Sequence, residues 1–226
     1  LRERNVYLNA PDWYFLNGSS KVALGYREDN WSLPRERQII LGRQNIYDGT
    51  WEKTPGMSWT FVPLTQYHGG GAPATIEPLH EHLDAYEAHL VQNFGSGVQA
   101  CYRGPRLYDT PVTEALVKKE VAWYKKYRYI LNADLVHIRR PDGRDYDAVM
   151  HVDPTRKEKG FAMIYNPLNE SIRRTIVLPL YYTGLQTFAL VREKEGVVKK
   201  IKLNRDYSIE VTLEIPAQGY TWLVIE

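Results

Sequence analysis

The stretch Ala122-Trp123-Tyr124-Lys125-Lys126-Tyr127-Arg128-Tyr129-Ile130-Leu131, with the Asp134-Leu135-Val136-His137-Ile138 that follows it, decides how this chain divides. On its left the apolar residues recur at helical spacing. Thr110 can cap a helix, Pro111 suits its first turn, and Val112, Leu116, Trp123, Tyr127 and Ile130 form an apolar stripe ending near Leu131. Lys118, Lys119, Lys125 and Lys126 fall on the watery side. A helix of this kind lies over a sheet. On its right helical periodicity stops. Short β-rich runs take over: 136–138, 148–152, 161–166, 172–180, 187–192, 197–203, 207–215 and 220–225. Turn residues separate them, as in Pro141-Asp142-Gly143, Asp153-Pro154, Asn166-Pro167, Glu195-Gly196 and Gln218-Gly219. Strands at that spacing predict an antiparallel sandwich. The expected fold class is therefore α/β followed by all-β, with residues 1–133 as one part, 134–226 as the other, and the two docked closely.

Upstream of the long helix, strands and helices alternate. Ser32 can cap a helix that begins near Pro34 and runs to about Gln44. Tyr47 to Met57 reads as a loop, and Trp59 to Leu64 as a strand. His68-Gly69-Gly70-Gly71 marks a tight loop. It lacks the Lys-Ser/Thr pair of a phosphate-binding loop, so His68 is read either as a donor to a substrate hydroxyl or as a structural loop histidine. Residues 78–94 predict an amphipathic helix with Pro78 at its start, apolar positions at Leu79, Leu83, Tyr86, Leu90 and Phe94, and Gly95 as its stop. His80, His82 and His89 do not give the i, i+4 histidine pair of a zinc helix, so no metal site is expected. Val98 to Tyr102 is a strand whose end presents Arg103, Arg106, Tyr108 and Asp109. Such groups hydrogen-bond polyols; an Arg–Asp pair closing the loop is the plainer alternative.

The first candidate for chemistry lies near the start. Val6, Tyr7 and Leu8 read as a short strand, broken by Asn9 to Pro11. Asp12 then stands among Trp13, Tyr14, Phe15 and Tyr26, with Glu28, Asp29 and Trp31 just beyond. Sugar cleavage needs one carboxyl group that stays protonated for the leaving oxygen and another that stays ionised across the bond. Aromatic faces hold a pyranose by stacking. Asp12, Glu28 and Asp29 are the catalytic candidates, and Trp13, Tyr26, Trp31, His68, Arg103 and Arg106 the substrate-binding ones. The competing reading makes Asp12 a turn residue and the aromatics core.

Composition narrows the classes. Of 226 residues, 43% are hydrophobic and 25% charged, and 17 Tyr with 6 Trp favour a rigid amphipathic surface for carbohydrate or protein. A net charge of +2, without a basic block on a nucleic-acid module, argues against nucleic acid as partner. No run is long and apolar enough for a membrane span. Cys101 is the only cysteine, so no disulfide forms within the chain. No cofactor is expected, and oligomeric state is left open. The start at Leu1 suggests missing upstream sequence, so the compartment is open too: periplasmic or extracellular if the full-length protein carries a signal peptide.

Three places make the chain resemble the melibiase-like (α-galactosidase-type) glycoside hydrolases. Leu8-Asn9-Ala10-Pro11-Asp12 is similar to the Leu-Asn-Asp-Pro-Asp turn ending a late barrel strand in that family. Ala122 to Arg128 is similar to a segment of its last barrel helix. Asp134 to Asp142, with the Ala148 to Val152 strand, is similar to the start of its C-terminal β domain. The chain also resembles the C-terminal portion of large carbohydrate-active proteins of gut-type bacteria. The resemblance implies the last strands and helices of a (β/α)8 barrel plus a C-terminal antiparallel β-sandwich, acting on an oligosaccharide or glycoside by a retaining, α-galactoside-like route. The chain departs from the pattern at Ala10, where the family has Asp, and in lacking a Lys-x-Asp nucleophile motif before Asp12. A barrel needs about 250 residues, and residues 1–133 supply roughly half. If Asp12 belongs to the late-strand turn, the acid/base also lies upstream; if Glu28 to Ser32 with Arg35 matches the family's Ser-Asp-Asn-x-Asp segment, it is Glu28 or Asp29. The alternative function is a non-catalytic carbohydrate-binding or structural module. The 226-residue chain alone is expected to be inactive, and measurable hydrolysis of an aryl α-galactoside by it would contradict this reading.

Overall fold

The fold was analysed in a computed structural model that describes residues 33–51, 59–65 and 71–226. The chain divides into two compact units between Arg128 and Tyr129, a point inside the long helix and slightly before the expected boundary.

In the first unit helices and strands alternate: α1 (Arg35–Gly49), β1 (Trp59–Val62), α2 (Leu83–Gly95), β2 (Gln99–Tyr102) and the start of α3 (Pro111–Leu131). β1 and β2 pair in parallel, Trp59 opposite Gln99 and Val62 opposite Tyr102. Parallel neighbours need a crossover, and α2 supplies it. Val62, Leu64, Ile76, Leu79, Tyr86 and Leu90 form the core, with Phe94, Leu116 and Val117 packed against it.

Local chemistry moves several element ends from their expected places. Pro34 occupies the position before α1, and the expected cap Ser32 lies outside the described residues. α1 continues past Gln44 to Gly49 because Ile46 is buried against Val98 and Thr50 closes the end. The Thr50 hydroxyl donates to the carbonyls of Ile46 (2.8 Å) and Tyr47 (3.1 Å). Pro78 does not open α2: it is extended (ψ 132°) and precedes a single 3-10 turn, Leu79–Glu81, and the α-helix starts at Leu83. Gly95 is still helical. The left-handed residue is Gly97 (φ 67°), which lets Val98 donate back to the Asn93 carbonyl at 2.8 Å and turns the chain into β2. On α3, Tyr127 and Ile130 are buried and the four lysines exposed as expected, but Val112 is 58% exposed. Thr113 takes the buried place instead, because its hydroxyl knits the helix start.

The second unit is all antiparallel. Its strands are β3 (Asp134–Arg139), β4 (Asp147–Val152), β5 (Gly160–Tyr165), β6 (Ile172–Pro179), β7 (Phe188–Glu193), β8 (Val198–Lys202), β9 (Ser208–Ile215) and β10 (Tyr220–Ile225). They form a six-stranded sheet in the order β3-β4-β5-β10-β7-β8 and a two-stranded sheet β6-β9. Ala148, Met150, Ala162, Ile164, Leu223 and Ile225 of the large sheet share one core with Ile172, Ile176, Leu178, Ile209, Leu213 and Ile215 of the small one. Two sheets enclosing one core is the sandwich that the alternation predicts. β6 shows it residue by residue: Ile176 and Leu178 are buried, and Val177 between them is 51% exposed. β4 and β5 are buried along their whole lengths, so they read as apolar runs without alternation.

Replacing Leu178 by Ala should cost about 2–5 kcal/mol in urea unfolding, whereas Val177→Ala should stay within about 0.5 kcal/mol. Equal costs at the two positions would contradict the register of β6 against β9.

Candidate functional site

In parallel α/β structures, chemistry gathers on the loops that leave the carboxyl ends of the strands. Two such loops begin among the described residues. One leaves β1 at Val62 and reaches α2; the other leaves β2 at Tyr102 and reaches α3. Backbone bonds hold them together beyond the strands. Arg103 donates to the Val62 carbonyl and Thr65 to the Arg103 carbonyl, each at 3.0 Å. Ile76 and Glu77 run back along the first loop, donating to Pro63 (3.0 Å) and Leu64 (2.9 Å). Gly104 is required at the crossing, since a Cβ there would lie 2.6 Å from the Leu64 Cβ. α1 is tied to the same loop: Arg35 donates to the carbonyls of Ala72 and Thr75, and Gln38 to that of Ala74, all at 2.7 Å.

Polar side chains converge on this frame. Arg106 donates to Glu77 at 2.8 Å. That bond is the main reason the Glu77 carboxyl lies below its ordinary pKa, helped by the hydroxyl of Thr65. His80 Nδ1 lies 2.9 Å from Asp109 Oδ2. The backbone N–H of His80 also donates to Asp109 Oδ2 (3.3 Å), and the Thr113 hydroxyl lies 3.0 Å from Oδ1. Burial alone would raise the Asp109 pKa, but these donors outweigh it and bring it down to about 2. An ionised carboxylate only accepts, so Nδ1 of His80 carries a proton toward Asp109. Glu81 Oε1 stands 3.9 Å from Nε2. Tyr86 reaches up from α2 and donates to the Leu107 carbonyl at 2.8 Å, and burial drives its phenol pKa well above the ordinary value. The cluster therefore presents a guanidinium, a carboxylate, an imidazole oriented by a second carboxylate, and the half-exposed ring of Tyr108. Such groups hydrogen-bond hydroxyls and hold charge in fixed positions.

Of the residues singled out in the sequence, Arg103 and Arg106 lie on the loop after β2. Asp12, Trp13, Tyr26, Glu28, Asp29, Trp31 and His68 lie outside the described residues. Arg106 pairs with Glu77 and not with Asp109, so the plain Arg–Asp loop closure is replaced by two separate links between loops. Glu77, His80 and Thr113 were not recognised as partners, since each contact joins positions that share no helix or strand pattern. His89 is set apart from the cluster: it is buried in α2, and its pKa falls to about 4 through burial, with Arg43 adding to the fall. Among the described residues no group of three or more His, Cys, Asp or Glu is arranged to hold a metal ion. No helix among them is long and apolar enough to cross a membrane.

No protein-family model matches the chain, and no curated protein does. Solved structures share the fold. The GH27 β-L-arabinopyranosidase of Geobacillus stearothermophilus superposes with a TM-score of 0.53 at 12% identity, over 88% of this chain and 43% of that enzyme. The GH36 α-galactosidase of Geobacillus stearothermophilus in complex with raffinose gives 0.50 at 16% identity, over 83% and 24%. The α-amylase of Geobacillus thermoleovorans complexed with acarbose gives 0.52 at 9% identity, over 98% and 52%. The chain thus spans about half the length, or less, of these glycoside hydrolases, and the similarity establishes the fold.

The Asp109 carboxyl is depressed in the folded chain, so the stability it lends is full above its ordinary pKa of about 4. That contribution is lost as pH falls through about 2. Carbon-detected NMR should find Asp109 titrating about two units below a free carboxyl, and the Thr113→Val and His80→Ala variants should each move it upward. An Asp109 pKa near 4 in the parent chain would contradict the arrangement.

Proposed function

We propose that this chain is part of a carbohydrate-active hydrolase that cleaves glycosidic bonds by a retaining route on α-galactoside-like substrates. Residues 1–133 then belong to the C-terminal part of a (β/α)8 barrel and residues 134–226 form its β-sandwich partner. The observation that carries the proposal is the convergence of Arg106, Glu77, His80 and Asp109 on the loops leaving the carboxyl ends of β1 and β2. Glycoside-hydrolase structures with the same fold support it, as does the family resemblance around Asp12 and Ala122 to Arg128.

In a retaining site one carboxylate attacks the anomeric carbon while a second, protonated carboxyl gives its proton to the leaving oxygen. Water then hydrolyses the glycosyl-enzyme as the second group takes a proton back. The two stand about 5 to 5.5 Å apart in such enzymes. Asp12, Glu28 and Asp29 are the candidates in this chain. Trp13, Tyr26, Trp31 and His68 would line the sugar with Arg103 and Arg106. The links on the β1 and β2 loops fit a binding role. Glu77 holds the Arg106 fork in place for hydroxyls, and Asp109 holds the His80 ring in one orientation.

Isothermal titration of the chain with galactose, raffinose and α-linked disaccharides tests this, alongside the Asp12→Ala and Arg106→Ala variants. Millimolar binding weakened about tenfold in Arg106→Ala, a loss of about 1.4 kcal/mol, is the expected result. Binding that is absent would favour a structural module, and binding unaffected by both substitutions a non-catalytic carbohydrate-binding one.

A further inference from the structure

The β unit displays exposed aromatic rings of its own. Tyr181 and Tyr182 form one 3-10 turn after β6 and are 64% and 62% exposed. The turn is fixed from below. Leu180 is buried, and its N–H donates to the Tyr207 carbonyl at 2.9 Å, joining the turn to the β8–β9 connection. The Thr183 hydroxyl donates to the Leu180 carbonyl at 2.6 Å, and Gly184 turns the chain away at a φ of 73°. Tyr182 meets Tyr181 edge to face, centroids 5.3 Å apart at 87°, and Tyr207 meets Tyr181 from another side at 5.7 Å and 74°.

Tyr207 has a φ of 62°, a left-handed conformation that glycine adopts freely and a tyrosine does not. A turn needing only to reverse the chain would be better served by glycine. The tyrosine is held there by its N–H bond to the Asn204 carbonyl (3.0 Å) and by packing of its ring on the sandwich core. Its ring braces Tyr181, so the two outer rings stand on a rigid base and lose little freedom when a ligand arrives.

We propose that Tyr181 and Tyr182 form a glycan-binding platform on the β unit, built for neutral pyranose chains and made of residues other than those of the strand-end site. The chemistry of the surround selects this ligand. In segments 180–184 and 203–208 the two tyrosines are the only exposed large hydrophobic residues, and Asn204, Arg205 and Asp206 around Tyr207 are polar and exposed. An aliphatic protein anchor would find two rings in a polar surround. A pyranose brings C–H faces for the rings and hydroxyls for the phenols and the polar rim. The platform does not depend on the chain being hydrolytic.

Affinity electrophoresis of the full 226-residue chain in native gels cast with glucomannan, xylan or soluble starch tests it. Retardation by at least one of these polymers is expected. The Tyr181→Ala/Tyr182→Ala double variant should lose it, with apparent affinity falling at least about tenfold and no drop in melting temperature, since both rings are mostly exposed. Tyr182→Ala alone serves as the second variant if the double variant melts early. Arg106→Ala should remain retarded, which separates this platform from the strand-end site. No retardation by any of the three polymers, or equal retardation of the double variant, would overturn the proposal. So would a parent chain that sediments as a dimer while the double variant sediments as a monomer, because the rings would then serve self-contact.

Discussion

The β unit depends on how its last strand is placed. β10 lies between β5 and β7, paired with β5 along its whole length and with β7 through residues 223–225. The ladder extends past the strand: Leu190 and Glu226 exchange backbone bonds at 2.7 and 2.9 Å, and Lys159 donates to the Ile225 carbonyl at 2.8 Å. Without β10, β7 and β8 would be a lone hairpin, which is marginal in water. β10 also sends Leu223 and Ile225 into the shared core. One strand therefore supplies both the ladder that unites the large sheet and part of the packing that joins it to β6 and β9.

The first unit solves a different problem. Its two described strands are short, and two parallel strands alone bury little. Side chains bonded to backbone groups do much of the remaining work. Arg35 and Gln38 tie α1 to the loop after β1, Thr113 ties the loop after β2 to α3, and Tyr86 ties α2 to that same loop. Buried backbone groups need partners, and these bonds supply them where no strand can. The consequence for function is that the described parts of these loops are tied to the helices. Arg106 and His80 are among the donors that lower the pKa of Glu77 and Asp109, and the same bonds fix their own side chains, so geometry and charge are set together.

Much of the β unit was legible in the sequence because its signals are local. Alternation in β6, turn residues such as Asp142-Gly143, and the loss of helical spacing after Leu131 mark strands directly. α3 was legible from its stripe, with an error at Val112, where the hydroxyl of Thr113 outweighed apolar spacing. The end of α1 was misread because Thr50 and the Ile46–Val98 contact sustain it through Tyr47, Asp48 and Gly49, a run that suggests a loop. The strand-end site was half legible. Arg106 and Asp109 stood out as a pair in one loop, but each has its partner 29 residues away in the other. Nothing in local spacing names Glu77 or His80, because only the parallel pairing of β1 and β2 brings those loops side by side. The acidic and aromatic candidates from Asp12 to Trp31, and His68, stand as sequence expectations.

The proposed sugar-binding face lies on the loops beyond β1 and β2. Amide shift mapping by NMR of the isotopically labelled chain, titrated with raffinose, reads those loops residue by residue. Shifts concentrated at 63–65, 77–82 and 103–110 are expected, with the His80 ring signals moving in step. Saturable shifts confined to other segments, or none at these positions at millimolar sugar, would contradict the proposal.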